Sequence, residues 1–441
     1  MDVASGLDRF FEITKRGSNI STEVKGGILV FLSMAYIISV NTGMMATSGM
    51  DESACYTATI VMSIIGSLLM ALYAKYPVAQ APLMGVNSFF TYTIVLTMGF
   101  TWQQALVAVL ISGIIFFAIA VSGVRKRVLD QIPPSLRFGI TAGIGCFIMF
   151  IGLQNAGIIV EADPDTTIVS IGDFSSPGVI LSFFCIILTI ALYARKVVGA
   201  IFIGMVVTAV IGMAFSVIPL PDSVVELPSM PEVGAFMDGI SSDLLSVDFL
   251  MAVISLAFVQ FFDSTGTLMA TGERAGIIDK DGNVQCERAL LADSATSVIS
   301  GVVGATPTGS FAESTVGIEA GARTGLASLT VAVLFGLALF IGPLFSVIDF
   351  HCTVAAMVIV GAAMMTQLKG VEWDDWPVAV AVLGTVIMMI LTYSITDGIV
   401  FGIMFYCVAM VGARRWREVS PVIYGLAVIS ALYLIFVLAS L

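Results

Sequence analysis

Histidine is all but missing from this chain: 441 residues hold one, His351, beside 19 lysines and arginines and 31 acids. A single imidazole excludes a histidine-rich metal site and a histidine-to-histidine proton relay. Charge of either sign is scarce, at 11% of residues against 58% hydrophobic, and the mean hydropathy is +1.03. That balance excludes an ordinary soluble domain. The six cysteines (Cys55, Cys146, Cys185, Cys286, Cys352, Cys407) stand singly with no CxxC pair, and read as free thiols packed among apolar side chains. No gap between apolar runs exceeds about 40 residues, so no separate soluble domain is expected. Residues 1–24 carry charges and no apolar core, so no cleavable signal peptide is expected there.

What is present is a succession of apolar runs, most of them near 20 residues, the signature of a polytopic helical membrane protein. A first set falls at about 26–46, 54–74, 78–98, 103–123, 135–154, 177–194 and 198–218. A second falls at about 249–270, 288–304, 305–322, 326–348, 352–368, 376–393 and 396–413. The division is then an N-terminal segment (1–24), a first repeat (25–218), an acidic, proline-rich link (219–248) and a second repeat (249–413). A basic loop and one extra apolar stretch, whose placement stays open, fill 414–441.

The positive-inside rule tests this layout. With a cytoplasmic N-terminus, all 19 basic residues fall on the inner side. They run from Arg9, Lys15, Arg16 and Lys25 through Lys75, Arg125, Lys126, Arg127 and Arg137 to Arg414, Arg415 and Arg417. Outer loops hold acids only: Asp51 and Glu52, then Glu161, Asp163, Asp165 and Asp173, the central link, and Asp349. The net charge of −12 therefore reflects a few outer loops rather than a surface for a basic partner.

Seven spans per half place the halves in opposite orientations, as an inverted repeat requires. The third and tenth segments both open irregularly, with Pro77 and Pro82 ahead of Asn87, and Pro307 and Gly309 ahead of Glu313. Paired interruptions at corresponding positions point to a site near the bilayer midplane. Two acids lie in such apolar surroundings, Asp263 in the eighth segment and Glu313 in the tenth. A carboxylate at the centre of a membrane helix costs roughly 2.5–3.5 kcal/mol, so it is rarely there without purpose. The same spacing in the first half picks out Tyr36 and Asn87. Half-helix N-termini at Asn87 and Glu313 would add unpaired backbone N–H groups.

On this layout lysine and arginine come no further into a span than its inner end (Arg137, Arg288), so none is available at mid-span and a fully charged anion would lack a counter-ion. A neutral, flat, hydrogen-bonding molecule fits better, its N–H groups donating to carboxylates and its acceptors meeting backbone N–H. Desolvation disfavours the charged form of a buried acid, so either carboxyl could carry a proton and couple uptake to a proton gradient. Blander roles stand beside these. Asp263 could bond Ser264 or Thr265, Glu313 could serve only its helix start, and Asn87 could be a plain cap. Glu319, four residues before Arg323, reads as half of an i,i+4 pair. Asp293 and Asp397 lie near helix ends and carry no assigned role. A channel has no need of a site split between two half-helices. A hydrolase would need a nucleophile with a base or a metal, so an enzyme is not expected.

At these motifs the chain resembles the nucleobase–cation symporter-2 superfamily, in its adenine/guanine/hypoxanthine branch. The matching stretches are Ser33–Asn41, Ala81–Phe90, Phe261–Leu268, Leu291–Asp293, Glu313–Ser314 with Gly317–Gly325, and Leu391–Ile399. The resemblance implies an all-α fold of about 14 transmembrane segments as a 7+7 inverted repeat, with short extended stretches in broken segments 3 and 10. It also implies a core (segments 1–4 and 8–11) that moves against a gate (5–7 and 12–14). It implies proton symport of a purine base, with no cofactor, no nucleic acid and a possible homodimer in the cell membrane. Carried over, Asp263 and Glu313 hold the base and Asn87 stands beside them; Tyr36, Thr308, Ser310 and Phe311 are further candidates for the pocket. The chain departs from the family at Gln260, where an acid is frequent. It also departs at Thr306–Ala312, where a Thr/Val-rich run is common.

Overall fold

The computed structural model describes residues 3–122, 133–162, 168–221, 223–277 and 285–440. The loop charges Arg125, Lys126, Arg127, Lys280, Asp163 and Asp165 lie outside the described residues. Helices occupy the positions of the expected segments. Among the described residues, eight are long and apolar enough to cross a membrane, including Ile20–Thr47, Glu52–Ala74, Pro134–Asn155 and Val247–Arg274. Ala200–Ala214, Gly325–Ala338, Trp376–Leu391 and Pro421–Ile435 are apolar but shorter.

Local chemistry sets the helix starts. Asn19 accepts from the backbone N–H of Thr22 (2.9 Å) and Asp51 from that of Ala54 (2.8 Å), each supplying a partner to an otherwise orphan donor. The first segment breaks at Ala35 into Ile20–Met34 and Tyr36–Thr47, which puts Tyr36 at the joint. The third and tenth segments open as extended chain because proline offers no N–H and clashes inside a helix. Strand β1 (Gln80–Pro82) precedes a helix from Met84 that widens into π-helical turns at Phe89–Thr97. An outlying hairpin, β2 (Ile159–Glu161) and β3 (Val169–Ile171), follows the fifth segment. Strand β4 (Thr308–Ser310) precedes the short helix Ser314–Glu319.

The two central strands pair antiparallel, Gln80 opposite Ser310 and Pro82 opposite Thr308. Flanking bonds extend the ladder, from the N–H of Phe311 to Ala79 O (3.0 Å) and of Leu83 to Pro307 O (3.0 Å). Serines of neighbouring helices take up further backbone groups. Ser67 serves Gln80, Ser297 and Ser300 serve Thr308, and Ser328 donates to the carbonyls of Tyr76 and Val78. Irregular backbone is tolerable at this depth only with such partners.

Packing repeats itself across the halves, as an inverted repeat requires. The second segment packs on the eleventh and the ninth on the fourth; the first packs on the eleventh and the eighth on the fourth. The fifth and twelfth meet each other directly, with the sixth, seventh, thirteenth and fourteenth around them. Glycine permits the closest approaches. A Cβ on Gly26 would sit 2.8 Å from Ala322 Cβ, and one on Gly145 would sit 2.6 Å from Gly361 O. Segments 1–4 with 8–11 thus form one packed group and 5–7 with 12–14 another, joined by sparser contacts.

Basic loops gather on one face. Arg16 donates to the carbonyls of Lys75 (2.9 Å) and Arg323 (3.3 Å), and Lys75 Nζ to that of Phe10 (2.8 Å). The extra stretch forms a helix, Pro421–Ser440, that packs along Ile395–Gly412 and Val247–Arg274. Tyr433 near its far end donates to Asp397 Oδ1 at the start of Ile395–Gly412 (2.9 Å), so it runs antiparallel to that helix rather than across a surface. At 1.5 Å per residue its 20 residues reach about 30 Å. All six cysteines are free, Cys146 half-buried and the others buried.

Glu319 does not pair with Arg323. The helix stops at Glu319 and Gly321 takes a left-handed φ of 105°, so no i,i+4 face exists there. Glu319 pairs instead with Arg274 (3.2 Å), and Arg323 turns to the carbonyls of Ile318 and Ala322.

Candidate substrate site at the crossing of the broken segments

The crossing of β1 and β4 positions the acids. Glu313 stands immediately before Ser314–Glu319 and accepts a hydrogen bond from the Tyr36 hydroxyl (2.6 Å), joining the tenth segment to the joint in the first. Tyr36 is buried; Glu313 and Asp263 are half-buried. Asp263 sits in the body of Val247–Arg274, opposite the gate. It lines a narrow crevice with Gly85, Phe258 and Val259 on the core side and Arg137, Thr141 and Met364 on the gate side. Asn87 is fully buried, and neither atom of its amide has a partner among the described residues.

Asn87 is not at a helix end. It lies in the helix that begins at Met84, and its N–H already donates to Leu83 O (2.8 Å). Its side chain, not its backbone, is therefore what it offers. The other pocket candidates turn elsewhere. Thr308 gives its N–H to Ser300 and receives Ser297 on its carbonyl, facing the ninth segment. Ser310 is spent on Asp293, and Phe311 is packed in the main apolar core. Gln260, in place of an acid, is buried and donates to Ser112 Oγ (3.2 Å).

Asp293 has a role that its position near a helix end did not suggest. It is fully buried and accepts from Ser264 Oγ (2.8 Å), from the Ser310 N–H (2.9 Å) and from Ser310 Oγ. It thereby ties the residue after Asp263 to β4, three residues before Glu313. Asp293→Asn would turn an amide N–H₂ toward these donors, and an unsatisfied buried group costs about 1–3 kcal/mol. We expect that variant to melt at lower temperature and to bind ligand weakly, through the lost tie between the eighth segment and β4. Wild-type melting in a purified sample would refute the tie.

Arg137 was also missed. The layout counted it with the inner-side charges although the run 135–154 includes it; it lies in the first turn of Pro134–Asn155, half-buried, in the crevice that holds Asp263. A span therefore does carry a cation. On the opposite, acidic face a larger vestibule of about 690 Å³ opens between Val40, Tyr56 and Tyr92 of the core and Asn155, Asp349 and Phe350 of the gate. Asn155 bridges it by donating to the Tyr92 hydroxyl (2.7 Å). Neither Asp263 nor Glu313 lines this vestibule.

Two broken segments crossing at depth, acids beside them and a core facing a gate define a multi-pass membrane permease, not an enzyme. The chain belongs to the permease family of nucleobase–cation symporter-2 proteins, whose family model matches residues 21–401. It is 43% identical to guanine/hypoxanthine permease PbuG of Bacillus subtilis, over 98% of this chain and 100% of that one. It is 35% identical to adenine permease AdeQ of Escherichia coli, over 98% and 96%. In fold it is similar to the transmembrane domain of the cyanobacterial bicarbonate transporter BicA, with a TM-score of 0.62 and 14% identity over 89% of this chain and 98% of that one. Murine Slc26a9, an anion transporter, has a TM-score of 0.61 at 11% identity, over 89% and 68%. At these identities the likeness is one of fold alone.

Proposed function

We propose that the chain imports purine bases, among guanine, hypoxanthine and adenine, by proton symport, with the core moving against the gate. The observation that carries this reading is the chemistry at the crossing. It offers two half-buried carboxylates, a phenol hydroxyl donating to one of them, and a buried amide with no partner. A purine base presents N–H donors for the carboxylates and ring acceptors for the amide and phenol. Relatives aligned along nearly the whole chain are named for guanine, hypoxanthine and adenine, which supports the same substrate class. Either acid can take up the coupling proton, Asp263 being the one that faces the gate.

Arg137 favours a second reading, an anion carried on the same fold, because it supplies the counter-charge that the sequence layout lacked. One experiment separates the two. Labelled hypoxanthine, guanine, adenine and bicarbonate are offered to proteoliposomes carrying the protein, with and without an uncoupler. We expect saturable uptake of one or more bases that collapses with the uncoupler. Bicarbonate uptake with no base uptake would reverse the assignment.

A further inference from the structure

We propose that Glu23, near the start of the first segment, is a positioning residue for the site: it sets where Glu313 stands against Tyr36. The inference rests on the reading of the crossing as a base-binding site and adds to it a residue outside the pocket. Glu23 is fully buried. Its two carboxyl oxygens accept from successive backbone N–H groups, that of Arg323 (2.8 Å) and that of Thr324 (3.2 Å). Those residues close the turn that follows Ser314–Glu319 and leads into Gly325–Ala338. A buried acid is tolerated where its oxygens are bonded in this way. Capping alone does not require one here, because the Thr324 hydroxyl already accepts from the Leu326 N–H (3.3 Å).

The same turn is held from the N-terminal segment at two more points. Ser18 Oγ donates to Gly321 O (3.2 Å), and Arg16 donates to Arg323 O (3.3 Å). Between these anchors and Glu313 lies the helix Ser314–Glu319, six residues and about 9 Å long. A helix that short makes too few internal bonds to stand alone, so whatever holds its two ends fixes its position. The near end is held where Ser314 Oγ accepts from the Ala79 N–H (3.0 Å). The far end is held by Glu23 and its neighbours.

The flank between the two ends is backbone against backbone. Glu23, Gly26 and Val30 follow one another at helical spacing along one face of Ile20–Met34. A Cβ on Gly317 would sit 2.6 Å from Val30 Cγ2 and 2.8 Å from Gly26 O. Beyond Val30 the helix breaks at Ala35, and the Tyr36 hydroxyl reaches Glu313 (2.6 Å). The first and tenth segments are therefore joined at both ends of the short helix, by Glu23 at one and by Tyr36 at the other. With Glu23 in place, Glu313 is presented to a ligand already bonded to the phenol. Without it the turn relaxes, the short helix can slide along the glycine seam, and Glu313 no longer meets Tyr36 at a fixed distance.

The test uses full-length purified protein and hypoxanthine binding by calorimetry, with Glu23→Gln, Tyr36→Phe and the double variant beside wild type. Glutamine keeps one acceptor and turns an N–H₂ toward the second backbone N–H. We expect Glu23→Gln to weaken binding about tenfold alone, but by less than about threefold in the Tyr36→Phe background, where the contact that Glu23 serves is already gone. Glu23→Asp, its carboxyl set back by one methylene, should show the same coupling, and is read instead if Glu23→Gln does not fold. Equal losses in both backgrounds would overturn the proposal and leave Glu23 as a brace for the fold. Wild-type binding in Glu23→Gln would overturn it too. A ligand-free measurement keeps this separate from the substrate reading: the fluorine resonance of fluorotyrosine in place of Tyr36. We expect it to shift in the empty Glu23→Gln protein, and an unchanged resonance would count against the proposal with equal force. If wild type binds no purine base, the substrate reading fails and the resonance alone decides the role of Glu23.

Discussion

Asp263→Asn and Glu313→Gln are each expected to weaken purine binding by about tenfold to a hundredfold, since a hydrogen bond to a charged group contributes roughly 1.5–3 kcal/mol. Concentrative uptake should be lost in both. The two variants should differ in a second respect. Glu313 already holds the Tyr36 hydroxyl (2.6 Å), and a glutamine oxygen can still accept that bond, so the joint in the first segment should survive. Asp263 faces the gate, so its replacement should also flatten the pH dependence of binding. Calorimetry or scintillation proximity with purified protein across pH would read both effects. Wild-type affinity in both variants would remove the carboxylates from the site.

Asn87→Leu is expected to do two things of opposite sign: raise the melting temperature of the empty protein and abolish base binding. The amide is fully buried with neither atom partnered among the described residues. Each unsatisfied buried group costs about 1–3 kcal/mol, a cost that an apolar side chain of similar size does not carry. Sites that must receive a ligand keep polar groups waiting, and stability is lower for it. Thermal melting of wild type and variant, with and without base, tests the point. A variant that melts lower when empty would show Asn87 to be a structural bond instead.

Much of the architecture was legible because lipid imposes a simple rule on sequence: apolar runs of fixed length, with prolines where the helix must stop. The interruptions at Pro82 and Pro307 located the crossing, and the repeat spacing brought Tyr36 and Asn87 into consideration with Asp263 and Glu313. What stayed hidden depended on side-chain direction. Arg137 is four residues into its helix, where hydropathy cannot distinguish a side chain turned to water from one turned into a crevice. Asp293 went without a role for the same reason, since its partners Ser264 and Ser310 come from a helix and a strand far apart in sequence. Glu319 and Arg323 show the reverse error, for their spacing suits a helix that ends one residue too soon.

The antiparallel ladder between β1 and β4 bears on how the protein is made. The partner of Gln80 is Ser310, roughly 230 residues further along the chain. At about 5–20 residues per second, synthesis leaves the first strand waiting some ten seconds to most of a minute. During that time its N–H and C=O groups lie at bilayer depth with no ladder to join, where each unsatisfied group is costly. The third segment therefore cannot complete its insertion alone, and must be sheltered beside its neighbours or the insertion machinery until the tenth emerges. Truncation anywhere before Thr308 should then yield a product that membrane quality control degrades, however apolar its helices.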